Sequence, residues 1–268
     1  MENISNHLLT LVTFVYFAAS LFYLGLEIFK RINLGIVASW LTVTALSMLS
    51  AAFILRWLAN HQLGMGHAPL SNLFESLILF AWLLNLFYLW LERRLAWRRV
   101  GTIVLPLLFF ILLYAGWIDP TIKPLLPALQ SNWLITHVLT CFLGYAFFAI
   151  SFALALLYLL DREKNPQTAK QTLTDLIYQT AVLGFVMLSA GIATGAVWAE
   201  AAWGSYWSWD PKEIWSLITW LVYATMLHSR YLRGGSGQRL AWLAILGFSC
   251  VIFTYLGVNF LLGGQHAY

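Results

Sequence analysis

Charge is scarce in this sequence: Asp, Glu, Lys and Arg make up 10% of its 268 residues, where soluble domains carry about 25%. Hydrophobic residues fill 61% of it, and the mean hydropathy is +0.76. A chain this poor in charge cannot cover itself with a water-facing surface, which excludes a soluble globular domain and makes lipid its solvent. Cysteine is almost missing as well. Cys141 and Cys250 lie far apart inside apolar runs, which excludes a disulfide framework and a CxxC zinc site and leaves buried packing as their reading. The isoelectric point is near 9.1, but the basic residues form no patch or stripe, so no nucleic-acid partner is expected. Internal repeats, low-complexity tracts and soluble inserts are lacking too. The first apolar run ends in Lys30-Arg31, whereas a signal peptide puts its charges first, so no cleavable leader is expected.

What the sequence does have is long apolar runs. A helix crosses a bilayer with about 20 apolar residues. Runs of that order lie at 8–29, 34–58, 72–91, 100–118, 132–160, 176–198, 211–231 and 240–262. Spans of this kind are helices, because a strand edge in lipid leaves backbone groups unpaired. Barrel strands would instead alternate over about ten residues. The expectation is an all-α polytopic transmembrane bundle of about eight spans, with residues 1–268 as one membrane domain. Placing the amino terminus outside puts 12 Lys and Arg residues in the inner connections. Only Arg56, Lys123 and Lys212, 3 in all, remain outside. That asymmetry follows the positive-inside rule and places both termini on the outer side. His7, His61, His67, His137 and His266 then fall on or near the outer face, and His228 near the inner one. The inner connections are short and basic with no catalytic constellation, so chemistry is expected outside.

The segment 198–215, expected as an outer loop between the sixth and seventh spans, holds Trp198, Trp203, Trp207, Trp209 and Trp215 together with Tyr206. An interfacial aromatic belt accounts for one or two indoles per helix end. Five, interleaved with Gly204 and Ser205, fit a flat, partly wet shelf on which a large planar ligand such as a porphyrin stacks. Asp210-Pro211-Lys212-Glu213 follows directly and reads as a helix start: Asp at the N-cap, Pro at the first turn, an acid three residues on. The positive end of that helix favours an anionic group such as a haem propionate, and Lys212 adds a formal charge. Asp210 and Glu213 form an acid/base pair only if capping does not already employ them. No side chain stands out as a catalytic residue.

Two outer histidines flank this shelf. His137 opens the fifth span, with Cys141 and Gly144 on its helical face. His266 follows the eighth span in Gly263-Gly264-Gln265-His266. One imidazole above and one below a ring plane is what axial ligation of haem iron requires. His228 lies 18 residues past Asp210, about 27 Å along a helix at 1.5 Å per residue. It reads either as an intramembrane functional group or as an interfacial His beside Arg230 and Arg233, and both readings stand. His61 and His67 sit in a Gly-rich loop and read as solvated rather than as a metal pair. Glu75 sits in an Asn72-x-x-Glu75 capping pattern, and Arg56 is its expected ionic partner.

The run Trp203-Gly-x-Tyr-Trp207-x-Trp209-Asp-Pro-Lys-Glu-x-Trp215, with Leu227-His228-x-Arg230 after it, resembles the tryptophan-rich WWD signature of CcsA/ResC-type cytochrome c biogenesis proteins. Pro69-Leu-Ser-Asn72-Leu-Phe-Glu75, Trp133-x-x-x-His137 and Gly257-Val-Asn259-Phe…His266-x-Tyr268 resemble the same family. The resemblance implies a subunit of a cytochrome c synthase that acts with a CcsB/ResB-type membrane partner. Such a subunit moves haem b across the membrane and presents it outside to apocytochrome c, whose CxxCH thiols form thioethers with the haem vinyls. It implies His137 and His266 as external haem ligands. It implies His228 as an intramembrane ligand opposite a residue of the partner. The membrane would be a bacterial inner (plasma) membrane or a thylakoid-type one, with the site on the periplasmic or lumenal side. Two other readings compete: a CcmC-like or HemX-like haem carrier without ligation activity, and a small-solute secondary transporter. The continuation Asp-Pro-Lys-Glu and the complete tryptophan run count against the relatives named in the first, and the lack of inverted repeats counts against the second.

Overall fold

The computed structural model describes residues 1–95, 97–160, 167–233 and 236–262, with only the backbone at 167–169 and 232–233. Among these residues there is no strand; the chain is helical. The helices are α1 (Glu2–Phe29), α2 (Ile32–Gln62), α3 (Leu73–Leu95), α4 (Gly101–Ala115), α5 (Asn132–Leu160), α6 (Gln167–Trp203), α7 (Pro211–Arg233) and α8 (Gly237–Leu261). Seven helices are long and apolar enough to cross a membrane: α1, α2, α3, Arg98–Ala115, α5, Lys170–Trp203 and α8. The run at 211–231 does form a helix, α7, but Ser, Thr, Trp, Tyr, His228 and Arg230 dilute its apolar character, and it is not among those seven.

The described residues of the expected single domain fall into two compact units, Met1–Leu129 and Gln130–Tyr268. In the first, α1 turns tightly into α2 through Lys30, whose φ of 53° lets its N–H reach the Leu26 carbonyl. Val12, Tyr16, Ala19 and Tyr23 form one fully buried stripe of α1 at helical spacing. Several polar groups buried along α3 are hydrogen-bonded, while Asn85 Oδ1 has no partner among the described residues. Asn85 donates to the Tyr16 hydroxyl at 2.8 Å. Glu92 accepts from Tyr23 at 2.6 Å, and from Ser39 and Tyr88, with Arg98 at 3.6 Å. The ion pair expected between Glu75 and Arg56 is present: Arg56 Nε donates to Glu75 Oε1 at 2.9 Å, with side chains 1% and 0% exposed. Arg56 Nη2 donates to the Pro120 carbonyl at 2.6 Å. Glu75 also accepts from the Ser71 N–H and hydroxyl, while its own N–H donates to the Asn72 side chain at 2.9 Å, which caps α3.

In the second unit, α5 and α6 run antiparallel along a seam of small residues. A Cβ on Gly184 would stand 2.5 Å from the Phe148 ring, one on Gly191 2.5 Å from Cys141 Sγ, and one on Gly195 2.5 Å from His137 Nδ1. Glycine at these positions leaves room for the α5 side chains directly against the α6 backbone, the close packing that small residues permit. Phe148 of α5 also stacks on Tyr223 of α7, centroids 3.6 Å apart and planes 9° from parallel. Trp220 of α7 donates to Ser189 of α6 at 2.9 Å, and Arg230 of α7 pairs with Asp175 of α6 at 2.6 Å. Thr219 of α7 meets Thr254 of α8 at 3.2 Å, inside a widened turn of α8 spanning Phe253–Gly257.

Candidate functional site

The tryptophan segment is more helical than its composition suggests. Ala and Glu between Trp198 and Trp203 are strong helix formers, so α6 continues to Trp203. Gly204 stops it, at a φ of 78° with its N–H on the Glu200 carbonyl at 2.8 Å, the left-handed position that glycine occupies at helix ends. The expected loop 198–215 is therefore corrected to residues 204–210 between two helix ends. Trp198 belongs to α6 and is 1% exposed. Trp203 packs on it edge-on, centroids 4.7 Å apart.

Within the short connection the indoles separate by role. Trp207 and Trp209 meet at 5.8 Å and 88°. Trp209 is 66% exposed and held at a φ of 61°, a conformation that costs a non-glycine residue about 1–2 kcal/mol. Tyr206 beside it is also exposed. Trp207 is half-buried, and its Nε1 is a buried donor with no hydrogen-bond partner among the described residues. Trp215, past the helix start, packs on Phe253 at 4.1 Å.

Asp210 and Glu213 are employed by the start of α7. Asp210 Oδ1 accepts from the Lys212 N–H at 3.0 Å. Glu213 Oε2 accepts from the Asp210 N–H at 3.1 Å and from the Ser208 N–H at 2.8 Å. This reciprocal cap leaves the pair a structural task rather than proton transfer. Replacing Asp210 with Ala is expected to cost about 1 kcal/mol, read as a lower unfolding midpoint in detergent. An unchanged midpoint would mean that the Asp210 side chain does not stabilise the start of α7. Lys212 Nζ donates to Asn259 Oδ1 of α8 at 2.8 Å. The Asp210 carboxylate adds a favourable charge near that ammonium, and elsewhere Lys123 pairs with Asp119 at 2.8 Å. Asp119 is itself held well below the usual carboxylate range by hydrogen bonds from Lys123 and Thr121.

His137 stands in the second turn of α5 with its ring fixed on three sides. Nδ1 lies 2.7 Å from the Gly191 carbonyl. A carbonyl only accepts, so Nδ1 carries the hydrogen and the neutral ring keeps its lone pair on Nε2. Cys141 Sγ lies 3.7 Å from the same Nδ1. Trp198 stacks on the ring at 6.2 Å and 17°. His228, on the far part of α7, is exposed and has no hydrogen bond among the described residues. His266 lies outside the described residues, as do Gly263 and Gly264. Among the described residues no three His, Cys, Asp or Glu side chains gather into a metal site. The neighbours of His137 on α6, Gly191 and Gly195, are not evident from the residues around it in sequence. The available signal was the shared four-residue spacing of His137-Cys141 and Gly191-Gly195.

The family model described as Cytochrome C assembly protein matches residues 70–266. The chain belongs to this family. It is 39% identical over 298 residues to the cytochrome c biogenesis protein CcsA of Guillardia theta, covering 99% of this chain and 96% of that one. It is 38% identical to the CcsA of Prochlorococcus marinus (strain NATL1A), covering 86% and 84%, and 34% identical to that of Synechococcus sp. (strain RCC307), covering 100% and 97%. Among solved structures, Cytochrome c Heme Lyase CcmF aligns with a TM-score of 0.73 at 22% identity, over 95% of this chain and 46% of that one. The chain thus spans less than half of CcmF, and that likeness shows the fold. The family match begins at residue 70, so it takes in Glu75, His137, the tryptophan segment, His228 and His266.

Proposed function

We propose that this protein presents haem b to apocytochrome c at the outer face of its membrane, as one subunit of a cytochrome c synthase with a CcsB/ResB-type partner. The observation that carries the reading is His137. Its Nδ1–H is held by a backbone carbonyl, which leaves Nε2 as a ready axial ligand, the arrangement usual for metal-binding histidines. The surrounding donor set suits an iron porphyrin. Trp207 offers a buried N–H with no partner among the described residues, Tyr206 and Trp209 offer exposed rings, and Lys212 offers an ammonium for an anionic propionate. His266 is the second external ligand in this reading. His228, exposed on α7, suits an intramembrane ligand shared with the partner, since an ionisable group facing lipid is costly unless paired. With α7 as an eighth span, the basic asymmetry supports a periplasmic or lumenal side for both termini and the tryptophan segment.

Haem supplies its vinyl groups, and each thioether forms by adding a thiol S–H across one vinyl C=C without net oxidation. The protein's task is to hold the porphyrin edge toward the incoming CxxCH thiols and to keep it from water, which makes attachment a matter of positioning. The relatives named as cytochrome c biogenesis proteins support this assignment. The protein co-expressed with a ResB-type partner is expected to purify with low-spin, bis-histidine haem. Replacing Trp207 or Trp209 with Ala is expected to weaken haem retention three- to tenfold, from a stacking contribution of about 0.5–1.5 kcal/mol, while Lys212→Gln has a smaller effect. Haem content measured per protein decides it, and equal content in all variants would reduce the segment to an interfacial belt.

A further inference from the structure

The seam between α5 and α6 does more at its outer end than bring two helices together. It narrows to glycine at the two α6 positions that face His137 and its neighbour Cys141. A Cβ on Gly195 would lie 2.5 Å from Nδ1 and 2.7 Å from Cε1 of His137, and one on Gly191 would strike Cys141 Sγ at 2.5 Å. The ring therefore occupies the volume that any side chain at residue 195 would take. Its Nδ1 edge is bound by the Gly191 carbonyl at 2.7 Å, and one face is covered by Trp198. An imidazole fixed at its floor, its face and one nitrogen has one orientation left.

We propose that Gly191 and Gly195 are positioning residues for His137: the first fixes its tautomer through a carbonyl, the second makes room for the ring, and together they aim Nε2 at haem iron. This rests on the reading of His137 as an axial ligand. Cys141 shares the pocket and closes the side next to Gly191. The same seam provides an internal control. Gly184, seven residues before Gly191, fits against Phe148, so a methyl there perturbs α5–α6 packing without meeting the imidazole.

Two measurements test the proposal. In haem-free protein labelled with 15N-histidine and held in detergent at a pH where the ring is neutral, the His137 resonances, assigned by their loss in His137→Gln, are expected to show hydrogen on Nδ1 and a bare Nε2. A neutral ring with its hydrogen on Nε2 overturns the proposal, whatever becomes of the haem. In the full chain co-expressed with its ResB-type partner, Gly195→Ala is expected to replace the low-spin spectrum with a high-spin one that added imidazole restores. Gly184→Ala is expected to keep the low-spin spectrum even where it lowers the yield. Identical low-spin spectra in the parent and both variants would overturn the positioning role. Absence of haem from the parent itself would instead overturn the functional reading, leaving the nitrogen spectrum to decide the tautomer alone.

Discussion

Alanine at both His137 and His266 is expected to abolish holocytochrome c formation while leaving the protein in the membrane at its normal level. The size of the effect follows from the task. An iron porphyrin that loses both axial imidazoles loses the bonds that fix its depth, tilt and facing edge, and attachment depends on that placement. Rings of the tryptophan segment alone retain some haem, but not in a defined orientation. Haem staining of the exported cytochrome, with an immunoblot of the membrane fraction, separates lost activity from lost protein. Ordinary maturation in the double variant would end the ligand assignment. Each single variant is expected to keep one imidazole and to recover partly when imidazole is added to the cells.

The largest stability effect is expected far from those ligands, at Arg56 and Glu75. Both side chains are buried, at 1% and 0% exposure, and between them they tie α2 to α3 and to the Pro120 carbonyl. Glu75→Gln keeps the shape but strands the guanidinium, at a cost of about 3–5 kcal/mol, whereas replacing both partners with apolar residues of similar volume is expected to be close to neutral. Unfolding of the purified variants in detergent, followed by tryptophan fluorescence, distinguishes these outcomes. Equal losses in the single and the double replacement would mean that packing, not charge, is what the pair provides. The stranded atom is already visible in part: Arg56 Nη1 is buried with no hydrogen-bond partner among the described residues.

The helices were legible because lipid demands them: apolar runs of spanning length allow one backbone solution, and α2 to α5 and α8 follow those runs closely, while α1 begins at Glu2, ahead of its run at 8–29. The caps of α3 and α7 were legible for a similar reason, since Asn72-x-x-Glu75 and Asp210-x-x-Glu213 are local patterns whose hydrogen bonds need no distant partner. The end of α6 was misplaced because five indoles suggested a loop. The alanines between Trp198 and Trp203 carried the truer signal, and a helix that continues to Trp203 stacks Trp198 against His137. The surroundings of His137 were legible only in halves. His137, Cys141 and Gly144 were readable as one face of α5, and Gly191 and Gly195 as one face of α6, but no local pattern says that the two faces meet. Pairing between antiparallel helices is set by tertiary packing, which spacing within one helix does not encode. The same limit hid Asn259 as the acceptor for Lys212.

The widened turn at Phe253–Gly257 has a bearing on everything after it. Such a turn amounts to one residue inserted into an otherwise regular helix, and one residue is about 100° of rotation at 3.6 residues per turn. Tyr223 fits against Gly247 before the turn, and Lys212 reaches Asn259 after it, so α8 faces α7 on both sides of the insertion. With the turn closed to a regular helix, the last residues of α8 would be wound a quarter-circle out of phase. The point from which the chain leaves toward His266 would then look away from the start of α7. The extra residue acts as a phase corrector that lets one straight rod keep two appointments with the same neighbour.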